Sequence, residues 1–366
     1  MWLKTLQLFN FKNYNEAKLQ FSPAVNVFTG ENGTGKTNLL DAIHYLSLCK
    51  SYFNPIDSQQ IKQGTDWFMV QGSFEKEEIE SQISCSVKRN QKKVFQKNKK
   101  EYPRLADHIG QFPLVMISPS DTGLIMEGSE ERRKFMDNVI SQTDSQYLDH
   151  LIAYNRCLLQ RNSVLKQAGK TGRLDPSLLE VLDAQLISYG EHLFQKRKGF
   201  MEEFLPEFER HYHFISSDAE AVQLRYESQL QEARFIDLLA NSADRDRLLE
   251  RTNCGIHKDE LVFSIHGGMP LKKFGSQGQQ KSFLIALKLA QYTYLHRLKG
   301  FKPLLLLDDV FDKLDDFRVR KLMEMVSHDE FGQLFITDTE ADRIIRIFEG
   351  IEAEVRYFTI HKGTVA

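Results

Sequence analysis

Hydrophobic positions change their spacing several times along the chain, and the changes divide it. Leu3, Leu6, Leu8 and Phe11 predict an edge strand running into a turn at 12–15. Val25–Thr29 reads as a short apolar strand, and the spacing of Leu39, Leu40, Ile43, Leu46 and Leu48 predicts a helix over 38–50. Alternation in Phe68, Val70, Ile83, Cys85 and Val87 predicts antiparallel strands between 67 and 87.

The texture changes at 118–121. From about 128 to 243 the period is helical, with Ser129 predicted as the N-cap of a helix carrying Arg132, Arg133 and Phe135. A long helix follows over 144–167. After a turn around Gly169, Gly172 and Pro176 comes another, expected to break near Pro206. Strands return near Cys254. Leu261–Ile265 and Met269–Lys273 flank His266, Gly267 and Gly268 as a hairpin, and a helix is predicted over 276–298. Leu304–Leu307 is apolar throughout, as in a parallel strand covered on both faces. Strands at 334–337 and 355–360 close the pattern. The reading is an α/β head in two parts, 1–120 and 254–366, with a helical arm inserted over 121–253.

Composition narrows the class without changing this picture. The 366 residues exceed what one small core needs, and 41% hydrophobic with 27% charged residues is ordinary for a globular chain. No apolar run reaches the roughly 20 residues that span a bilayer, and the N-terminus carries no leader pattern, so a cytoplasmic protein away from the membrane is expected. Cys49, Cys85, Cys157 and Cys254 show no metal spacing and read as reduced thiols. A formal net charge of −2 requires any nucleic-acid contact to come from local basic patches.

Three segments carry chemistry. Gly30, Glu31, Asn32, Gly33, Thr34, Gly35, Lys36 and Thr37 fit the phosphate-loop pattern G-x-x-x-x-G-K-[ST], between an apolar strand and a periodic helix. Glycines let the backbone wrap phosphates, and the helix N-terminus favours anions. Lys36 would neutralise the outer phosphates of ATP, and Thr37 would ligate Mg²⁺. The second segment, Leu304–Asp308 followed by Asp309, ends a buried strand in two acids where open α/β sheets bind ligands. Asp308 would hold Mg²⁺ through water and Asp309 would polarise the attacking water. The third is Ser276, Gln277, Gly278, Gln279, Gln280 and Lys281, opening the helix over 276–298. Simple N-capping is the competing reading there.

The order phosphate loop, Ser/Gly/Gln turn, acidic strand is that of ABC-type ATPase heads, in which such a turn is the signature. Asp312–Asp315 resembles their D-loop. The turn SQGQQK, with GENGTGKTNLL at 30–40, DDVFDKLD at 308–315, SPSD at 118–121, Arg132–Arg133 and Gln160–Asn162, resembles the bacterial RecF family over almost the full length. GIHKDE at 255–260 is similar to that family's GPHRDD with three differences, and Asp41 stands where a Glu is expected. Thr337, Asp338 and Thr339 occupy the place of the transporter switch histidine.

The resemblance implies an ABC-type head with an inserted arm. It implies an ATP-dependent homodimer in which Ser276, Gly278 and Gln279 complete the partner's nucleotide site. It further implies binding to gapped or single-strand/double-strand junction DNA, and work with RecR and RecO in loading RecA during recombinational repair and the SOS response. Hydrolysis would be slow, DNA-stimulated and used as a release switch.

A transport ATPase is disfavoured by the long helical insertion, the SQGQQ turn and the missing histidine. A chromosome-structuring protein needs far more than the roughly 120–130 inserted residues for its coiled coil. A fused nuclease is disfavoured by how little chain follows the last predicted strand. Between Lys88 and Arg104 stand eight Lys/Arg and one acid, with Lys97, Lys99 and Lys100 around Asn98 at a predicted hairpin turn. They are candidates for DNA phosphate contacts, against a plain solvated hairpin tip.

Overall fold

The computed structural model describes residues 1–216, 222–265, 267–311, 316–327, 330–349 and 353–365. In chain order the strands are β1 (Trp2–Phe9), β2 (Glu16–Gln20), β3 (Val25–Thr29), β4 (Trp67–Lys76), β5 (Ile79–Lys88), β6 (Val94–Lys97), β7 (Lys100–Glu101), β8 (Leu114–Ile117), β9 (Val222–Glu227), β10 (Glu260–Ile265), β11 (Met269–Pro270), β12 (Leu304–Asp308), β13 (Leu334–Asp338), β14 (Val355–His361) and β15 (Thr364–Val365). The helices are α1 (Lys36–Leu48), α2 (Gly123–Met126), α3 (Ser129–Thr143), α4 (Ser145–Thr171), α5 (Pro176–Ser216), α6 (Phe235–Leu249), α7 (Leu271–Phe274), α8 (Gln277–Lys299), α9 (Asp316–Ser327) and α10 (Ala341–Phe348). The predicted D-loop, 312–315, lies outside the described residues, as does His266.

The chain forms two compact units. One comprises 1–122, 210–217 and 281–366; the other comprises 123–209 and 218–280. The first unit holds two six-stranded sheets, an antiparallel one in the order β2-β1-β4-β5-β6-β7 and a mainly parallel one in the order β15-β14-β3-β13-β12-β8. Strands β3, β12 and β13 are buried at every residue, which is why their sequences are mostly apolar. In β5 burial alternates, because one face alone meets the core. Helix α1 packs against β4 and β5 of one sheet and β8, β12 and β13 of the other. Covered on both sides, it buries eleven of its thirteen residues, Lys36 and His44 included.

Strand β1 is not at an edge. It pairs with β2 on one side and β4 on the other, because the strand after the phosphate-loop helix returns alongside it.

The second unit is mainly helical but closes on a three-stranded sheet, β11-β10-β9. Strand β10, expected to re-enter the head after residue 253, pairs instead along its whole length with β9. The segment 254–280 therefore packs with the helical unit, and the chain rejoins the first unit at 281. Residues 210–216, at the end of α5, pack with the first unit. Pro206 does not break α5, which runs continuously from Pro176 to Ser216. Phe200, Phe204 and Phe208 are buried around the proline, and that packing outweighs one lost backbone hydrogen bond. Helix α3 is capped at Gly128, with Ser129 its first residue, and Glu130 and Glu131 in the first turn complement the helix dipole.

Two buried arginines tie the helical unit together. Arg197 bonds Asp137 at 2.8 Å, Asp259 at 2.6 Å and the Ile256 carbonyl at 2.8 Å. Arg161 bonds Asp183 at 2.5 Å, Asp246 at 2.7 Å and Thr252 at 2.9 Å. Asn162 accepts from the backbone and hydroxyl of Thr252, and Arg132 pairs with Glu260 at 2.7 Å. The family-like segments at 132–133, 160–162 and 255–260 are thus one polar core. His257 belongs to it. Its Nδ1 accepts from the Tyr154 hydroxyl at 2.8 Å, and its Nε2 donates to the Thr252 carbonyl at 3.2 Å. Burial pushes its pKa down to about 4, so it is a neutral structural group. Gly255 beside it has φ 114°, and a Cβ there would lie 2.5 Å from the Phe235 ring.

Candidate nucleotide site

The phosphate loop leaves the C-terminal end of β3 and enters α1. Gly30 has φ 145°, and a Cβ on it would sit 2.3 Å from the Ile360 carbonyl oxygen. A Cβ on Gly35 would sit 2.5 Å from the Asn13 amide, so neither position admits a side chain. The loop is braced from outside. Asn13 Nδ2 donates to the Thr34 carbonyl at 2.8 Å, the Gly363 N–H donates to the same oxygen at 3.0 Å, and the Tyr14 hydroxyl donates to the Gly35 carbonyl at 3.1 Å. Glu31, Asn32 and Gly33 are exposed at its crest, while Thr34 is buried with its hydroxyl on the Glu31 carbonyl at 2.8 Å. Lys36 reaches back under the crest and donates to the carbonyls of Gly30 at 2.7 Å and Glu31 at 3.0 Å. The first turn of α1 has no side-chain cap; the N–H groups of Asn38 and Leu39 already donate to the Gly35 carbonyl, which leaves those of Lys36 and Thr37 to an anion.

Strand order brings the second segment to the loop. β3, β13 and β12 are neighbours and parallel, and their registered ends place Thr29, Asp338, Thr337 and Asp308 along one sheet margin. Asp308 Oδ1 accepts from the Thr37 hydroxyl at 2.8 Å and from the Thr337 hydroxyl at 2.9 Å, and Ser118 lies 3.4 Å from its Oδ2. Burial pushes the Asp308 carboxyl up from its ordinary value, against the pull of the Thr37 and Thr337 hydrogen bonds. Asp309 has φ 46°, and its N–H donates to the Thr337 hydroxyl at 2.9 Å. One hydroxyl thus sets both acids. Thr337 is the residue that sequence reasoning noted only for not being histidine.

Lys288 went unnoticed, although a lysine inside the apolar run from Phe283 to Ala290 is itself a signal. It is buried and bonds Asp121 at 2.6 Å and the Tyr52 hydroxyl at 3.1 Å. The Tyr52 hydroxyl in turn donates to Asp121, and Asp121 accepts from the Ser118 N–H at 2.7 Å. The SPSD segment is therefore a short turn that holds Ser118 next to Asp308. On the other side Tyr52 N donates to Asp41, which pairs with Lys12 at 2.6 Å and accepts from Ser51. Removing the cation at Lys288→Met leaves Asp121 buried without its ion-pair partner, and should cost about 3–5 kcal/mol of stability. Urea unfolding measures this, and an unchanged midpoint would mean that the pair contributes nothing.

Ser276 is the N-cap of α8 in a reciprocal box. Its hydroxyl accepts from the Gln279 N–H at 3.2 Å, and Gln279 Oε1 accepts from the Ser276 N–H at 2.6 Å. Ser276, Gly278 and Gln279 belong to the second compact unit and Gly30–Thr37 to the first. At the candidate DNA hairpin, Asn98 and Lys99 have φ 52° and 66°, the two-residue turn that fits a twisted hairpin. Lys99 and Lys100 are exposed, whereas Lys97 is half-buried, donating to Gln111 at 2.9 Å over the Phe112 ring.

Residues 2–357 match the family model for the RecF/RecN/SMC N-terminal domain. The DNA replication and repair protein RecF of Flavobacterium johnsoniae is 50% identical over 360 residues, covering 98% of this chain and all of that protein. This chain belongs to the RecF family. The RecF of Phocaeicola vulgatus is 49% identical over 367 residues, covering all of this chain and 98% of that one. Among solved structures, one described as the recombination mediator protein RecF with ATP in the RecFOR pathway superposes with a TM-score of 0.88 at 31% identity, over all of this chain and 97% of that one. A Pyrococcus furiosus Smc head domain shares the fold, with a TM-score of 0.57 at 17% identity over all of this chain and 95% of that one. The ABC-type head of RecF and Smc proteins is thus the architecture of this RecF-family chain, and the long helices α4 and α5 stand where the insertion was expected.

Proposed function

We propose that this chain is an ATP-dependent DNA-binding protein of recombinational repair, in which ATP joins two copies on DNA and slow hydrolysis releases them. The observation that carries the reading is the Thr37–Asp308 contact at 2.8 Å, which sets a helix-N-terminal phosphate loop beside a buried acid at the sheet margin. The likeness to a RecF structure with ATP supports it.

The donor set fits Mg²⁺. A hydroxyl and a carboxylate are hard oxygen ligands, and this ion takes few protein groups while nucleotide phosphates and water fill the rest. Among the described residues no cluster of three or more His, Cys, Asp or Glu could hold a metal alone. Thr37 and Asp308 would hold the ion, which neutralises charge on the outer phosphates. Lys36 would exchange its loop carbonyls for phosphate oxygens. Asp309, its backbone fixed by Thr337, would orient the attacking water.

In trans, Ser276, Gly278 and Gln279 with the α8 dipole would complete the partner's site. Gapped or single-strand/double-strand junction DNA is the proposed ligand, with Lys99, Lys100 and more weakly Lys97 as phosphate contacts. RecR is the proposed partner, with RecO, for loading RecA in repair and the SOS response. Among the described residues no helix is long and apolar enough to cross a membrane.

Light scattering with ATP, with ADP and with DNA tests the reading. Mass should double with ATP alone, and turnover should be weak until DNA is added. Ser276→Arg should bind ATP as a monomer and stay one. A variant that dimerises normally with ATP would rule out the sandwich. Mixing it with Lys36→Ala protein should restore part of the hydrolysis, through one site with an intact loop and an intact Ser276.

A further inference from the structure

Four cations gather in the helical unit, and none of them forms an ion pair among the described residues. Arg133 on α3 donates to the Asp259 carbonyl at 2.7 Å, one residue after Lys258. His257 donates to the carbonyl of Thr252, which follows Arg251. The Arg251 N–H donates to the Asp246 carbonyl at 3.1 Å, one residue after Arg245. These links draw Arg133, Arg245, Arg251 and Lys258 to one place from three separate segments.

Three of the nearby acids are already committed. Asp246 is buried on Arg161, Asp259 is buried on Arg197 and Tyr226, and Glu260 takes Arg132. Arg245, Arg251 and Lys258 are exposed, and none forms an ion pair among the described residues. The crowding is felt. Burial, then Arg251 and Arg133, push the Lys258 ammonium below its ordinary value, and burial with Arg197 does the same to Arg133. Like charges held together by a folded core gain when an anion enters between them. The aromatic groups at this place, Tyr154 and His257, are bonded to each other inside, so no ring is offered for base stacking.

We propose that Arg245, Arg251 and Lys258, with Arg133, form a second DNA-contact surface that takes the phosphodiester backbone of duplex DNA without reading sequence. This surface is separate in sequence from the hairpin lysines, and the proposal rests on the DNA-binding reading above. Its role would be to seat the double-stranded side of the DNA, where backbone charge is dense.

Duplex binding across a salt series tests it. Each phosphate contact contributes about 0.9 to the slope of log affinity against log salt, so Arg245→Gln, Arg251→Gln and Lys258→Gln together should flatten the slope by roughly 2–3. The loss should be equal on unrelated sequences, with melting temperature and ATP binding unchanged, since these side chains are exposed. The charge-keeping set Arg245→Lys, Arg251→Lys and Lys258→Arg should retain the wild-type slope, because counterion release counts charges. A folded neutral variant with wild-type affinity and slope would overturn the proposal and leave this face to an acidic protein partner. A wild-type protein that binds no DNA at all would instead overturn the DNA-binding reading itself, and this surface with it.

Discussion

Lys36→Ala protein is expected to lose ATP affinity by at least about a hundredfold. In the fold this ammonium makes two charge-assisted bonds, to the Gly30 and Glu31 carbonyls, and lies buried beneath the loop crest. Both would be redirected to phosphate oxygens. A hydrogen bond to a charged group is worth about 1.5–3 kcal/mol, so two amount to roughly 3–6 kcal/mol, or 10²–10⁴ in affinity. The glycine geometry, the Asn13 and Tyr14 braces and the α1 N-terminus do not depend on the lysine. A folded variant is therefore expected to keep residual weak binding. Fluorescent-nucleotide titration reads the loss, with melting temperature as the control for folding. Wild-type affinity in the variant would place the nucleotide elsewhere.

Asp309→Asn is expected to separate binding from turnover. Asn tolerates a left-handed backbone, so φ 46° and the N–H bond to Thr337 should both survive. What is lost is the charge that would orient water, in a site where a single preorganised electrostatic group is worth roughly 10²–10³ in rate. Single-turnover hydrolysis should fall by that factor while the ATP titration stays at wild-type affinity, and the ATP-joined dimer should persist for correspondingly longer. Rapid turnover in the variant would move the catalytic role to another residue. Loss of binding instead would show that Asp309 supports the loop rather than the chemistry.

Some of this protein could be read from residues close together in the chain. The phosphate loop is contiguous because one stretch of backbone wraps the phosphates, so Gly30–Thr37 announces itself with its flanking strand and helix. The apolar run at 304–307 announces a strand covered on both faces. Asn98 announces its turn because few residues accept a left-handed backbone, and Lys99 follows it there at φ 66°.

What the tertiary structure decided are the encounters between distant segments. β13 inserts between β3 and β12, and only that order sets Thr337 between the two acids. Ser118 reaches Asp308 because β8 lies beside β12, and Lys288 holds the turn that carries Ser118. α1 is covered on two sides, so its hydrophobic face could not be told from its periodicity alone. β9 follows a helix of 41 residues and has no hairpin partner in sequence, so its pairing with β10, and the true extent of the helical unit, were invisible. His257 is settled by Tyr154, a partner 103 residues away that a local pattern cannot supply. Local spacing records what one turn of backbone needs; burial and strand order choose which polar groups meet, and these depend on the whole chain at once.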